Sequence, residues 1–198
     1  HLDSDEIENI STERIQIGGE NSGSIFVSGL SITDTDNINE FNLSAIDPGK
    51  VSEFGEEGSS FVSLYAKSNQ GLSILGDLST TLGNLGLQSE KANITIANDI
   101  TLSSGDDLYL DAGVGKTIKA LGAVDLLAID HIRIENDFES SGKTKIKADQ
   151  NVDAIGEIYL AGGKELKTNG YSLRMAGSDL TFDGTIDTGA GKLQISAT

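Results

Sequence analysis

The feature that most constrains this chain is a recurring apolar triplet with alternating side chains, closed each time by Gly, Asn, Asp or Ser. Ile15-Gln16-Ile17, Ile94-Thr95-Ile96, Leu108-Tyr109-Leu110, Ile132-Arg133-Ile134, Ile158-Tyr159-Leu160, Leu180-Thr181-Phe182 and Leu193-Gln194-Ile195 are examples. Alternation over three to five residues, then a turn, then another such run, is the pattern of short strands with one face buried. A single strand of this length buries too little to persist, so a long series of them requires stacking. The pattern predicts an all-β, single-stranded parallel β-helix, a solenoid. Its rival, an antiparallel β-sandwich, calls for strands of five or six residues and more Asn-Gly hairpins; one Asn-Gly pair is present, Asn169-Gly170.

From Asn93 onward the coils can be counted. Ile94–Ile96, Ile100–Leu102 and Leu108–Leu110 form one group, then Ile118–Ala120, Val124–Leu127 and Ile132–Ile134. Ile146–Ala148, Val152–Ile155 and Ile158–Leu160 form the next, followed by Leu166, Leu173–Met175 and Leu180–Phe182, with Ile186 and Leu193–Ile195 last. Equivalent strands start at Leu108, Ile132, Ile158 and Leu180, a spacing within the range of solenoid repeats. Eight or nine coils at ~4.8 Å each give a rod of roughly 40 Å.

Residues 1–90 are less regular. The division expected is an N-terminal arm or cap over 1–14, with Ser4–Ile10 as a short helix or extended arm, and a β-helix over 15–198 with loop insertions around 33–60. Phe26, Phe41, Phe54, Phe61 and Tyr65 concentrate there and are expected to plug a wide coil or cap a core end.

Glycine supplies 24 of 198 residues and proline one, against about 7% and 5% in ordinary domains. That balance suits tight turns between strands that all need their backbone N–H groups. The net charge is −17; residues 1–90 carry 15 acidic and 3 basic side chains, residues 91–198 carry 16 and 11. Such acidity disfavours nucleic acid and anionic lipid. It is compatible with weak Ca²⁺ binding but needs only solubility as its reason. With no cysteine there is no disulfide or thiol chemistry. No apolar run approaches a membrane span. The chain begins at His1 without a basic segment followed by an apolar one, so a removed leader or a piece of a longer protein is expected.

Residues 15–27, Ile15-Gln16-Ile17-Gly18-Gly19-Glu20-Asn21-Ser22-Gly23-Ser24-Ile25-Phe26-Val27, resemble repeats of large secreted bacterial adhesins of the filamentous-haemagglutinin type. So do residues 99–113, Asp99-Ile100-Thr101-Leu102-Ser103-Ser104-Gly105-Asp106-Asp107-Leu108-Tyr109-Leu110-Asp111-Ala112-Gly113, and the likeness runs through about residues 10–198. The resemblance implies a right-handed parallel β-helix, an extracellular location on a bacterial cell surface, and a structural or adhesive role towards host or cell-wall glycans or proteins. The family's amino-terminal secretion domain, with its Asn-Pro-Asn-Gly-type signature, is absent; the lone proline is Pro48.

Chemical motifs are sparse, and no catalytic, cofactor-binding or metal-binding residue is assigned. Gly113-Val114-Gly115-Lys116-Thr117 imitates the end of a phosphate-binding loop, but Leu110 stands where the first glycine belongs and Thr117-Ile118-Lys119 reads as strand. Ser141-Gly142-Lys143-Thr144 fails likewise. His1 is terminal, and His131 alone cannot anchor zinc, so it is expected as a solvent-facing turn residue. Asp106-Asp107 with Asp111, Glu56-Glu57, and Asp179, Asp183 and Asp187 are candidate Ca²⁺ or sugar-chemistry carboxylates, expected as solvated turns for want of a shaped Ca²⁺ loop. Arg133 and Arg174, between apolar neighbours, should point outward. Thr33-Asp34-Thr35 is too little for an ice-binding array, and the acceptor-like Asn9, Asn42 and Asn93 triplets arise readily by chance.

The last strand, Lys192 to Ser196, lies close to the C-terminus. An uncovered coil templates another strand, so either further coils of a longer parent protein follow or the coil stacks head to tail on a second copy. The functional expectation is therefore a non-catalytic structural or adhesive rod. The alternative is a carbohydrate-active or carbohydrate-binding β-helix, which a groove of clustered carboxylates beside aromatic rings would favour.

Overall fold

The computed structural model describes residues 4–198. Three sheets, all parallel, run the length of a β-solenoid of eight coils, so the antiparallel alternative is excluded. The first sheet stacks Thr12–Gly18, Ile38–Ala45, Leu64–Ser68, Leu85–Ser89, Leu108–Asp111, Ile132–Ile134, Glu157–Leu160 and Asp179–Phe182. The second runs from Ile25–Val27 to Thr185–Asp187, and the third from Ser59–Phe61 to Leu193–Ala197. Each coil after the first contributes one short strand to each sheet, which is why the sequence shows triplets rather than long alternating runs.

Register converts the alternation into columns. Ile15, Phe41, Leu64, Leu85, Leu108, Ile132, Ile158 and Leu180 follow one another on the inner face of the first sheet. Similar columns from the other two sheets meet them in one dry core. Parallel ladders cannot be closed by hairpins, so coil after coil must pass through three corners. Ser104 ties one corner in: its Oγ donates to the Asp107 carbonyl at 2.7 Å and accepts the Leu85 N–H at 3.1 Å. No helix among the described residues is long and apolar enough to cross a membrane.

The structure departs from the sequence reading most in two stretches. Within residues 33–60, where loops were expected, Ile38–Ala45, Ser52–Phe54 and Ser59–Phe61 occupy regular ladder positions. The second and third of these escape notice because buried Ser52 and Ser59 replace the usual aliphatic residue. The real irregularity is Ile32–Thr35, a short helix in place of a third-sheet strand in the first coil. Asp34 Oδ2 accepts the Ser31 N–H at 2.7 Å, and Thr35 Oγ1 donates to the Ser60 carbonyl at 2.9 Å. The other departure is Val152–Ile155, expected as a strand. It is a turn, with Val152 and Ala154 in the left-handed region at φ 59° and 67°. Asp149 Oδ1 accepts the Asp153 N–H and Asp153 Oδ1 accepts the Ile155 N–H, both at 2.9 Å, so local side-chain acceptors outcompete the ladder. The missing strand is Asp137–Ser140, centred on buried Phe138.

At the N-terminal end Ser4–Ile7 forms one helical turn with Ile7 buried against the core. Of the aromatic residues expected to fill this end, Phe41, Phe54 and Phe61 are buried, Phe41 and Phe61 edge to face with centroids 4.9 Å apart. Phe26 and Tyr65 are exposed.

Candidate functional surfaces

Outward positions of the first sheet form a second set of columns, and one of them is chemically distinct. Asn42, Tyr65, Gly86, Tyr109, Arg133 and Tyr159 succeed one another in register from coil to coil. Gly86 breaks the row of side chains, and the Tyr65 ring leans across it. A Cβ at position 86 would stand 2.5 Å from Tyr65 Cδ2, so the ring's place depends on glycine there. The Tyr65 hydroxyl donates to Gln88 Oε1 at 2.7 Å, yet the residue remains 38% exposed. Farther along, the Arg133 guanidinium lies over the Tyr159 ring, 4.6 Å from its centroid, and donates to Glu135 Oε1 at 3.0 Å and 3.2 Å. Burial first, and then the Asp111 carboxylate, push the Tyr109 phenol up to about 12.

Between Tyr65 and Tyr109 this column sinks into an open groove of about 510 Å³, with Glu40, Asn84, Asp107 and Arg133 among its walls. Glu40 accepts hydrogen bonds from Arg14 and Asn42, both at 2.7 Å, and the Arg14 bond chiefly holds its carboxyl below the ordinary range.

Beside the groove runs a ladder of side-chain acceptors that link successive coils. Asn84 Oδ1 accepts the Asp107 N–H at 3.1 Å, Asp107 Oδ1 accepts the His131 N–H at 3.0 Å, and His131 Nδ1 accepts the Glu157 N–H at 3.0 Å. His131 is thus a half-buried joint between coils rather than a freely solvated turn residue. The other candidate histidine, His1, lies outside the described residues.

Among the described residues one group of three carboxylates draws close: Asp106, Asp107 and Asp130, with ligand oxygens within 4.8 Å of one another. Burial, reinforced by Asp107 and Asp130, raises the Asp106 carboxyl above its ordinary range. Asp111, grouped with the first two in the sequence, instead serves Gln88, Tyr109 and the Gly113 N–H. Asp130, which no sequence motif marks, stands one coil beyond Asp106, to whose carbonyl its N–H donates at 3.2 Å. Asp179, Asp183 and Asp187 do not gather; Asp179 and Asp187 accept N–H groups of Leu180 and Gly189. Glu56 and Glu57 sit on the turn after Ser52–Phe54. Gly113–Lys116 is a turn and Thr117 begins a strand; Ser141–Lys143 likewise separates two strands. Arg174 points outward beside Lys145, as expected.

The first and last described coils differ. The final coil continues the inner columns with Leu193 and Ile195, which are 43% and 48% exposed, whereas Leu173 and Met175 directly beneath them are fully buried. Leu180, Phe182 and Ile186 of this coil are only partly covered. At the opposite end a cavity of about 580 Å³ opens among Ile7, Ile17, Ile25, Val27, Phe41 and Phe61.

The arrangement defines the class: a three-sheet parallel β-solenoid. The chain matches no protein-family model, no curated protein and no solved structure.

Proposed function

We propose that this chain is a non-catalytic structural element of an extracellular, cell-surface rod, and that the coil bearing Leu193 and Ile195 accepts a further parallel coil, supplied in the isolated chain by a second copy stacking head to tail. The observation that carries the reading is the half-exposure of those two side chains in columns that are otherwise dry. Strand edge and apolar cross-section together form a template for one more coil. At the other end Thr12–Gly18 is the edge strand of the first sheet, with one side of its ladder unpaired among the described residues. A head-to-tail contact of this kind does not close on itself and produces a filament. The resemblance to filamentous-haemagglutinin-type repeats supports the surface location.

Sedimentation velocity over a wide concentration range tests the stacking. Wild-type chain should associate progressively, and Ile195→Lys should sediment as a monomer throughout. A wild-type chain that stays monomeric at the highest concentration, or an Ile195→Lys chain that associates equally, overturns it.

A further inference from the structure

The groove on the first sheet has the makings of a ligand site that owes nothing to the rod's ends. Three observations converge there. The first is the Tyr65 ring, laid across Gly86 and exposed, in a column otherwise free to carry any polar residue. The second is the polar lining: Glu40, Asn84 and Asp107 bring carboxylate and amide oxygens and amide N–H groups to the same hollow. The third is electrostatic. The nearby cations are already engaged, Arg14 with Glu40, Lys67 with Glu90, and Arg133 with Glu135 and Tyr159. With a chain charge of −17, the surface repels anions.

We infer that the groove between Tyr65 and Tyr109 binds a neutral oligosaccharide lying along the solenoid axis. An aromatic ring next to fixed hydrogen-bonding groups suits a pyranose, whose faces carry C–H groups and whose rim carries hydroxyls. Coils repeat every ~4.8 Å, close to the length of one sugar unit in an extended chain, so each sugar meets the outward residue of one coil. From Asn42 to Arg133 the column spans about 19 Å, room for roughly four sugars. Tyr65 supplies the stacking surface; Glu40, Asn84 and Asp107 accept hydrogen bonds at the rim, and the Asn84 amide nitrogen donates. A uronate or sulfated glycan lacks a free cation to pair with and meets carboxylates instead.

The test is binding of the full chain to an array of neutral hexasaccharides (β-1,4-glucan, β-1,3-glucan, mannan and galactan) beside heparin and polygalacturonate hexamers, followed by titration calorimetry on the best neutral probe. A neutral hexasaccharide should bind in preference to both anionic ones. Tyr65→Ala should weaken it roughly tenfold or more. Gly86→Ala, which displaces the ring, should weaken it in the same direction, with both variants keeping the wild-type circular dichroism spectrum. Ile195→Lys should bind like wild type, which separates this site from the stacking end. Absence of binding to every neutral probe at millimolar concentration, preference for an anionic probe, or unchanged affinity in Tyr65→Ala overturns the inference.

Discussion

Leu173 and Leu193 are the same side chain on consecutive rungs of one inner column, paired in register, yet one is fully buried and the other 43% exposed. Truncating each to alanine therefore measures what the neighbouring coil contributes. Leu→Ala removes three carbon atoms, about 2.4 kcal/mol of transfer free energy where burial is complete at ~0.8 kcal/mol per methylene. At Leu173 the coils above and below hold their positions, so a cavity adds to that and the total should reach about 3–5 kcal/mol. At Leu193 rather more than half of the transfer share applies, about 1.4 kcal/mol, and no enclosed cavity forms. Urea denaturation followed by circular dichroism at low protein concentration should show Leu173→Ala costing at least about twice as much as Leu193→Ala. At high concentration the gap should narrow, because the proposed stacking of a second copy would bury Leu193. Equal costs at low concentration would mean that the final column is already covered, and the stacking argument would fall.

Two other perturbations test joints beside the groove. His131→Ala deletes the acceptor of the Glu157 N–H and should cost about 1–2 kcal/mol in the same assay. His131→Asn places an amide oxygen where Asn84 already serves an equivalent joint, and should recover part of that loss; a His131→Ala variant as stable as wild type would deny the joint any weight. Asp106 titrates higher in the folded chain than in the unfolded one, chiefly through burial, so the folded state binds its proton more readily. Its stabilising share is present below the ordinary aspartate range and is lost as pH rises through the raised value. Wild-type stability minus that of Asp106→Asn should accordingly fall between pH 4 and pH 7, and a difference that grows over this interval contradicts the assignment.

The fold was legible because inward positions are chosen by the core. Where those positions carry Ile, Leu or Val, as in Ile94–Ile96 or Leu108–Asp111, the triplets and the observed strands coincide. The reading failed where the core accepts something else. Ser52 and Ser59 hide two strands behind a loop-like composition. Phe138, flanked by Asp137 and Glu139, gives too little apolar signal for its strand, while Val152 and Ile155 give too much for a turn whose shape Asp149 and Asp153 fix. Local hydrogen bonding overrides apolar pattern in the last case, and pattern-based reading weighs only the apolar side chains.

Surface chemistry obeys a different constraint. An outward residue in a solenoid is almost free of the fold, so no hydrophobic pattern announces Tyr65, Tyr109 and Arg133 as neighbours. What brings them together is register alone, and register follows from the inner column: Leu64, Leu85, Leu108, Ile132 and Ile158 immediately precede Tyr65, Gly86, Tyr109, Arg133 and Tyr159 in the chain. Because side chains alternate with period two, fixing the inner column fixes the outer one, and a one-residue slip would drive the tyrosines into the core. The same logic placed Asp130 beside Asp106, a full coil apart in sequence. Gly86 is the one member of this outer column whose identity the neighbouring ring dictates, since any Cβ there collides with Tyr65. A residue that the backbone tolerates in any form, but that a single exposed ring requires to be glycine, ties the groove's shape to the position of that ring.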